Sequence, residues 1–88
     1  MDIQIKELEK DVNLKTIRIG GYFMTDDDSI FQVIKRDKRK QFTRKIYLIA
    51  RKNKKKNNWI DMRKQNIIYI WVYNFLICTR ISIKIKEK

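Results

Sequence analysis

The stretch TRISIKIK, residues 79–86, decides the fold class. Ile81, Ile83 and Ile85 alternate in it with serine and with basic residues. Because successive side chains of a β-strand point to opposite faces, this period of two predicts a strand with one apolar face and one charged face. The chain has 88 residues, which is enough for one domain with a modest core. We therefore expect a small domain made of half-buried strands.

Four segments before this one also carry β-branched and aromatic residues between turn-forming stretches, which predicts further strands. A glycine pair in the first of them permits a bulge or a sharp bend. The polar stretch TDDDS at 25–29 separates the first strand from the second and predicts a hairpin. The five predicted strands are KTIRIGGYFM from 15, SIFQVIK from 29, FTRKIYLIA at 42–50, NIIYIWVYNF at 66–75 and TRISIKIK at 79–86.

The N-terminal segment has a different pattern. Ile5, Leu8 and Val12 fall at helical spacing behind Asp2, a residue type that caps helices, so a short helix or an extension is predicted over 1–14. The remaining residues, 15–88, are expected to form one domain. Five short strands in so short a chain favour an all-β fold, a five-stranded OB-fold barrel that closes its own edges.

The composition limits the function. The formal net charge is +12, while 43% of the residues are hydrophobic, so the chain is folded and attracts anions.

Cys78 is the one cysteine and histidine is absent, so we expect a structural thiol, no disulfide, no metal and no cofactor. No catalytic constellation emerges, so the protein is not expected to be an enzyme. The longest apolar run, at 67–78, is shorter than the ~20 residues of a membrane-spanning helix, and we expect no membrane contact.

A dense basic run lies in LIARKNKKKNNWI at 48–60 and is expected to connect the third and fourth strands. Its cations could neutralise phosphates, and its tryptophan could stack on an unpaired base for ~1–3 kcal/mol. The alternative is a solvated loop followed by a core tryptophan that begins the fourth strand, and both interpretations stay open. The RNA contacts predicted here are Arg51, Lys52, Lys54, Lys55, Lys56 and Trp59, extended by Arg63 and Lys64.

A second basic cluster occupies the loop between the second and third strands and continues into the third strand. It could form a second clamp on a phosphate path, or it could be a solubilising hairpin tip. The contacts predicted from it are Arg39, Lys40, Arg44 and Lys45.

Two other features have structural explanations. Asp26, Asp27 and Asp28 are adjacent and diverge, so a turn is favoured over a magnesium site or an acid–base pair. Four aromatic residues fall on one face of the predicted fourth strand, where core packing is favoured for most of them over a stacking platform. These four are Tyr69, Trp71, Tyr73 and Phe75.

Several short stretches share their order with a known family. They are Gly21 inside the first strand, IFQV at 30–33, IARKNKKKNNWI at 49–60, Ile67-Ile68, and ICTRISIKIK at 77–86. In this order they resemble the translation initiation factor 1 and 1A family, whose archaeal and eukaryotic branch also has tryptophan at the position of Trp59. The sequence departs from the family at Ala50-Arg51-Lys52, which lacks the loop glycine, and in the absence of the charged tails.

The resemblance implies an OB-fold protein that binds small-subunit ribosomal RNA near the decoding site. It implies a cytoplasmic monomer, or an organellar one, that works beside other initiation factors without a cofactor. Two alternatives stay open. One is a general single-stranded or viral RNA-binding OB module, and the other is a small basic protein-interaction module that acts as an inhibitor.

Overall fold

The computed structural model of the protein describes residues 2–39, 42–64 and 69–86. Within these ranges the fold is all-β, as the alternation of apolar residues predicts. Seven strands form one antiparallel sheet, and a single 3-10 turn, Leu14–Thr16, follows the first of them. The strands are β1 (Asp2–Asn13), β2 (Tyr22–Met24), β3 (Ser29–Arg36), β4 (Thr43–Asn53), β5 (Asn58–Asp61), β6 (Tyr69–Tyr73) and β7 (Ile77–Lys86). No helix of the described residues has the length and apolar character needed to cross a membrane.

The strand order in the sheet is β1-β7-β2-β3-β4-β5. The β7-β2-β3-β4 part has Greek-key order, because three strands follow one another and a later strand returns beside the first of them. β6 pairs with the first half of β4 and β5 with its second half, both on the edge of β4 opposite to β3. The two ends of the sheet approach each other, since β5 comes into contact with β1, and Trp59 of β5 packs against the same buried cluster as Ile3 and Ile5 of β1.

The predicted N-terminal helix is wrong, because residues 2–13 form the longest strand of the sheet. β1 pairs antiparallel with β7, with Ile3 opposite Ile85 and Ile5 opposite Ile83. These isoleucines also follow a period of two, and the long edge of β7 supplies hydrogen-bonding partners that a helix could not use. Tertiary pairing therefore overrides the weak helical spacing of the segment.

The first predicted strand is mostly wrong as well. Residues 17–21 form an irregular bend, and only Tyr22–Met24 pair as a strand. Gly20 has φ +85°, which an L-residue adopts only with strain. Gly21 lies in a crowded position, where a Cβ would come within 2.9 Å of the Arg18 carbonyl oxygen. The glycine pair therefore makes the bend that the sequence permitted. The predicted number of five strands is also corrected, because β1 and β5 are additional strands.

The core lies between the inner faces of this rolled sheet. Phe23, Ile30 and Val33 are fully buried at its centre. The buried hydrophobic residues form two clusters, Leu14, Ile17, Phe23, Val33, Ile46 and Cys78 in one, and Ile30, Ile49, Ala50 and Ile81 in the other. Cys78 is buried as predicted, its Sγ lies 3.6 Å from the Val12 carbonyl oxygen, and burial raises the pKa of its thiol to about 11. A thiol with so high a pKa is a poor nucleophile.

Candidate nucleic-acid interface

The basic run forms a β-hairpin, not a long connector. β4 continues to Asn53, a turn occupies 54–57, and β5 returns from Asn58, which pairs with Asn53. The Asn53 side chain closes the turn by accepting a hydrogen bond of 3.1 Å from the Lys55 backbone N–H. Asn57 has φ 51°, a conformation that asparagine tolerates better than most residues. We call residues 51–58 the basic hairpin. Lys54, Lys55 and Lys56 lie exposed at its tip, where none of them forms a salt bridge with a described residue.

Arg51 lies at the base of the basic hairpin, close to the acidic turn. Its guanidinium is 3.8 Å from the Asp27 carboxylate, and its Nε donates to the Ser29 hydroxyl at 3.4 Å. Both charged side chains of the ion pair are more than half exposed, so the pair contributes little and can separate at low cost. The pKa of Asp27 is lowered mainly by a hydrogen bond from the Thr25 hydroxyl, with a smaller effect from the charge of Arg51. The predicted turn at 25–29 is confirmed, and its acidic residues limit the basic surface on this side.

Trp59 lies inside β5, so it does not begin the strand that follows the connector. It is half-buried and packs against the buried cluster of Ile30, Ile49, Ala50 and Ile81. Its indole also lines a pocket beside Asp2, Ile3 and Gln4 of β1. Of the two interpretations, core packing is the one that these contacts support. Lys52, its partner across the hairpin, is half-buried.

Arg63 is held by a neighbouring carboxylate. Its Nε and one terminal nitrogen donate to the two oxygens of Asp61, at 3.0 and 2.9 Å, and its backbone N–H donates to the same carboxylate at 2.9 Å. These hydrogen bonds, the side-chain ones first, lower the pKa of Asp61 to about 2. A guanidinium engaged in this bidentate way is poorly placed for a phosphate. Lys64, which follows it, is exposed.

The second predicted cluster is divided by the fold. Arg44 is only 6% exposed, and its guanidinium donates to the backbone carbonyls of Ile17 and Lys15, so it stabilises the bend before β2 and does not face outward. Burial, and then the charge of Arg36, lower the pKa of Arg44. Arg39 is exposed in the loop after β3, where its backbone N–H donates to the Asp37 carboxylate at 2.9 Å. Lys40 lies outside the described residues.

The outward side of β6 is lined by exposed rings. Tyr69, Trp71 and Tyr73 alternate along the strand and are 44%, 48% and 57% exposed, and Phe75 just beyond it is 42% exposed. Core packing, which the sequence favours for most of these residues, is therefore wrong. The reason is that β6 places Val72, the alternate residue, against the core cluster, which turns the rings toward solvent.

Lysines from neighbouring elements lie over these rings. Lys45 is opposite Trp71 in the β4–β6 register, and its Nζ is 4.8 Å from the ring centroid of Tyr69 and 5.9 Å from that of Trp71. The Nζ of Lys35 is 5.7 Å from the Trp71 ring, and the register shift in β3 just before Lys35 places it on this side of the sheet. We name this surface the aromatic–lysine face. Its residues are Lys15, Lys35, Lys45, Tyr47, Tyr69, Trp71, Tyr73 and Phe75.

Ring contacts hold the aromatic–lysine face in place. Tyr47 and Tyr69 are opposite each other across the β4–β6 pair and stack with centroids 5.0 Å apart. Tyr73 and Phe75 contact each other at 5.1 Å, and the Lys15 ammonium is 5.1 Å from the Phe75 ring. Among the predicted RNA contacts only Lys45 belongs to this face. The alternation of aromatic residues in the sequence indicates that the rings of β6 share one side of a strand. A period of two does not tell which side of the strand is covered.

The chain matches no protein-family model, and searches among curated proteins and solved structures give no match. The resemblance to initiation factors therefore rests on the sequence stretches alone. Among residues 2–39, 42–64 and 69–86, no three cysteine, aspartate or glutamate side chains are grouped so that they could hold a metal ion. The chemistry available at these surfaces is ion pairing, hydrogen bonding and stacking.

Proposed function

We propose that the protein binds RNA through its basic hairpin and the basic residues around it. The proposal rests on the exposed positive charge at the tip of the hairpin. Three consecutive lysines are exposed there without salt-bridge partners among the described residues, in a chain with a net charge of +12. Like charges packed so closely repel one another, and phosphates relieve this repulsion while counterions are released.

The more specific form of the proposal is a cytoplasmic, monomeric factor similar to initiation factor 1A. It would have an OB-fold barrel and bind small-subunit ribosomal RNA near the decoding site. The order of the resembling stretches and the Greek-key order of β7-β2-β3-β4 support it. The proposed RNA binding does not require an OB-fold, because it rests on the charged surface.

Sedimentation with purified ribosomal subunits tests both levels of the proposal. Tagged protein is centrifuged with small or large subunits at several salt concentrations. The test variant replaces Arg51, Lys52, Lys54, Lys55 and Lys56 by alanine. The control variant replaces Lys6, Lys10, Arg18, Arg80 and Lys84 by alanine, which removes the same charge from exposed positions on β1, β7 and the bend before β2.

The expected result is binding to the small subunit alone, abolished in the test variant and largely kept in the control. Equal binding of the wild type to both subunits and to unrelated RNA supports RNA binding but contradicts the ribosome-specific form. Absence of binding to any RNA contradicts the whole proposal and favours a protein partner for the basic surface.

A further inference from the structure

We infer that the aromatic–lysine face is a stacking platform for the unpaired bases of single-stranded RNA. This inference rests on the proposed RNA binding and specifies the state of the RNA. It assigns base contact to a surface on β4 and β6, separate from the tip of the basic hairpin.

The first argument is the exposure of the rings. Tyr69, Trp71, Tyr73 and Phe75 are all between 42% and 57% exposed. Folding gains little from aromatic surface that stays in water, and a contiguous exposed apolar surface marks an interaction site. The rings follow one another along one strand and its end, so they share one face of the sheet and are not scattered exposed residues.

The second argument is charge. Three lysine ammonium groups, those of Lys15, Lys35 and Lys45, lie within 6 Å of ring centroids on this face. The carboxylate of Asp37 lies at its margin, where it accepts a hydrogen bond of 3.4 Å from Thr43. An apolar protein partner would have to desolvate all three ammonium groups without compensation. A nucleotide strand offers a flat base to each ring and a phosphate to each ammonium group.

The third argument is spacing. Alternate residues on a strand are ~6.8 Å apart, so a base with a thickness of ~3.4 Å fits between neighbouring rings. The Lys45 ammonium lies near both the Tyr69 and Trp71 rings, where such a base would insert. The flexible lysine stem can move the charge aside and keep it within reach of the adjacent phosphate. Bases in a duplex are stacked on one another and cannot enter, so the ligand must be single-stranded.

The fourth argument is preorganisation. β4 is paired on both edges, with β3 on one side and β5 and β6 on the other, and the Tyr47–Tyr69 stack fixes one end of the face. Rings held on a paired strand lose little freedom when a base binds.

The test compares a 12-nucleotide single-stranded RNA with a duplex of the same length. Affinity is measured by fluorescence anisotropy of labelled RNA, and stacking by quenching of intrinsic tryptophan fluorescence. The chain has two tryptophans, so the Trp71→Phe variant identifies the share of the signal that comes from Trp71. Trp71→Ala is the binding variant. Ile19→Ala, which removes a side chain that is 49% exposed and lies outside the face, is its control. Circular dichroism checks that each variant folds.

We expect the single strand to quench Trp71 and the duplex to leave it unchanged. Trp71→Ala should weaken single-strand binding by ~5-fold to ~150-fold, which corresponds to the removal of one base stack, while Trp71→Phe keeps most of the affinity. The salt dependence should change little, because no charge is removed. Ile19→Ala should bind as the wild type.

Equal affinity for duplex and single strand, or unchanged affinity in folded Trp71→Ala, overturns this inference while the salt-dependent RNA binding of the proposed function stands. Absence of binding to either RNA overturns both. Self-association in sedimentation velocity that Trp71→Ala abolishes, together with unquenched Trp71 in the presence of RNA, assigns the face to protein contact and also overturns the inference.

Discussion

Removal of the three lysines at the tip of the basic hairpin tests the electrostatic argument quantitatively. The variant carries alanine at Lys54, Lys55 and Lys56. These residues lie in the turn and are exposed, so the substitutions should leave the fold intact. Asn53 and Asn57, which shape the turn, are kept.

The size of the effect follows from the number of phosphates that the variant no longer neutralises. Each neutralised phosphate of a single strand contributes ~0.7 to the slope of log affinity against log salt. If each of the three lysines meets one phosphate, the slope falls by ~2 units. At ~0.15 M salt this corresponds to a decrease in affinity of roughly 50-fold, the upper limit for three phosphates.

The assay is fluorescence anisotropy of a labelled single-stranded RNA at salt concentrations between ~0.05 and ~0.4 M. The control variant replaces Lys6, Lys10 and Lys84 on β1 and β7, which removes the same charge from exposed positions. It should change the slope by much less than ~2 units, because charges farther from the RNA than the Debye length of ~8 Å are screened. Equal slopes for the two variants would show that net charge, and not the hairpin, governs binding.

Three further predictions concern stability. The pKa of Asp61 is lowered to about 2 by Arg63, so its contribution to folding is full above pH ~4 and disappears as the pH falls to about 2. Asp61→Asn should therefore cost up to about 2 kcal/mol in urea denaturation at pH 7, and a difference of the same size at pH 2 would contradict this cause. Gly21→Ala should lower the free energy of unfolding by ~1–3 kcal/mol, because its Cβ would meet a backbone oxygen 2.9 Å away, and an unchanged melting temperature would refute the crowding. Phe23→Ala should cost ~3–5 kcal/mol because the ring is fully buried, whereas Phe42→Ala, at 59% exposure, should change stability by less than ~0.5 kcal/mol in the same denaturation experiment.

The sequence predicts a strand well where one face of the strand is apolar and the other is polar, because the residues then alternate. The segment at 79–86 alternates isoleucine with polar residues, and it forms the main part of β7. The third predicted strand and the turn at 25–29 are also confirmed. The predicted helix before residue 15 is wrong because β7 offers a partner of matching length, a long-range fact that local spacing does not contain.

The candidate site is predictable only in part. The lysines at the hairpin tip are exposed as expected, but Arg63 is held by Asp61 and Arg44 is buried against backbone carbonyls. A residue's charge is visible in sequence, whereas its partner is decided by which loops the sheet brings together. The aromatic alternation marks Trp71 as part of a face, but it favours the core for a ring that is in fact half exposed.

The sequence by itself determined the all-β fold class and the strongly basic character, since these follow from the period of the apolar residues and from the charge count. Only the tertiary structure decided which face of β6 is covered. Val72 contacts the core and Trp71 remains in water, because β4 places β6 at an outer position of the sheet where one face has no opposing layer among the described residues. Alternating residues in the sequence show that the two faces of a strand differ in character. The packing of the folded chain decides which of the two faces is buried.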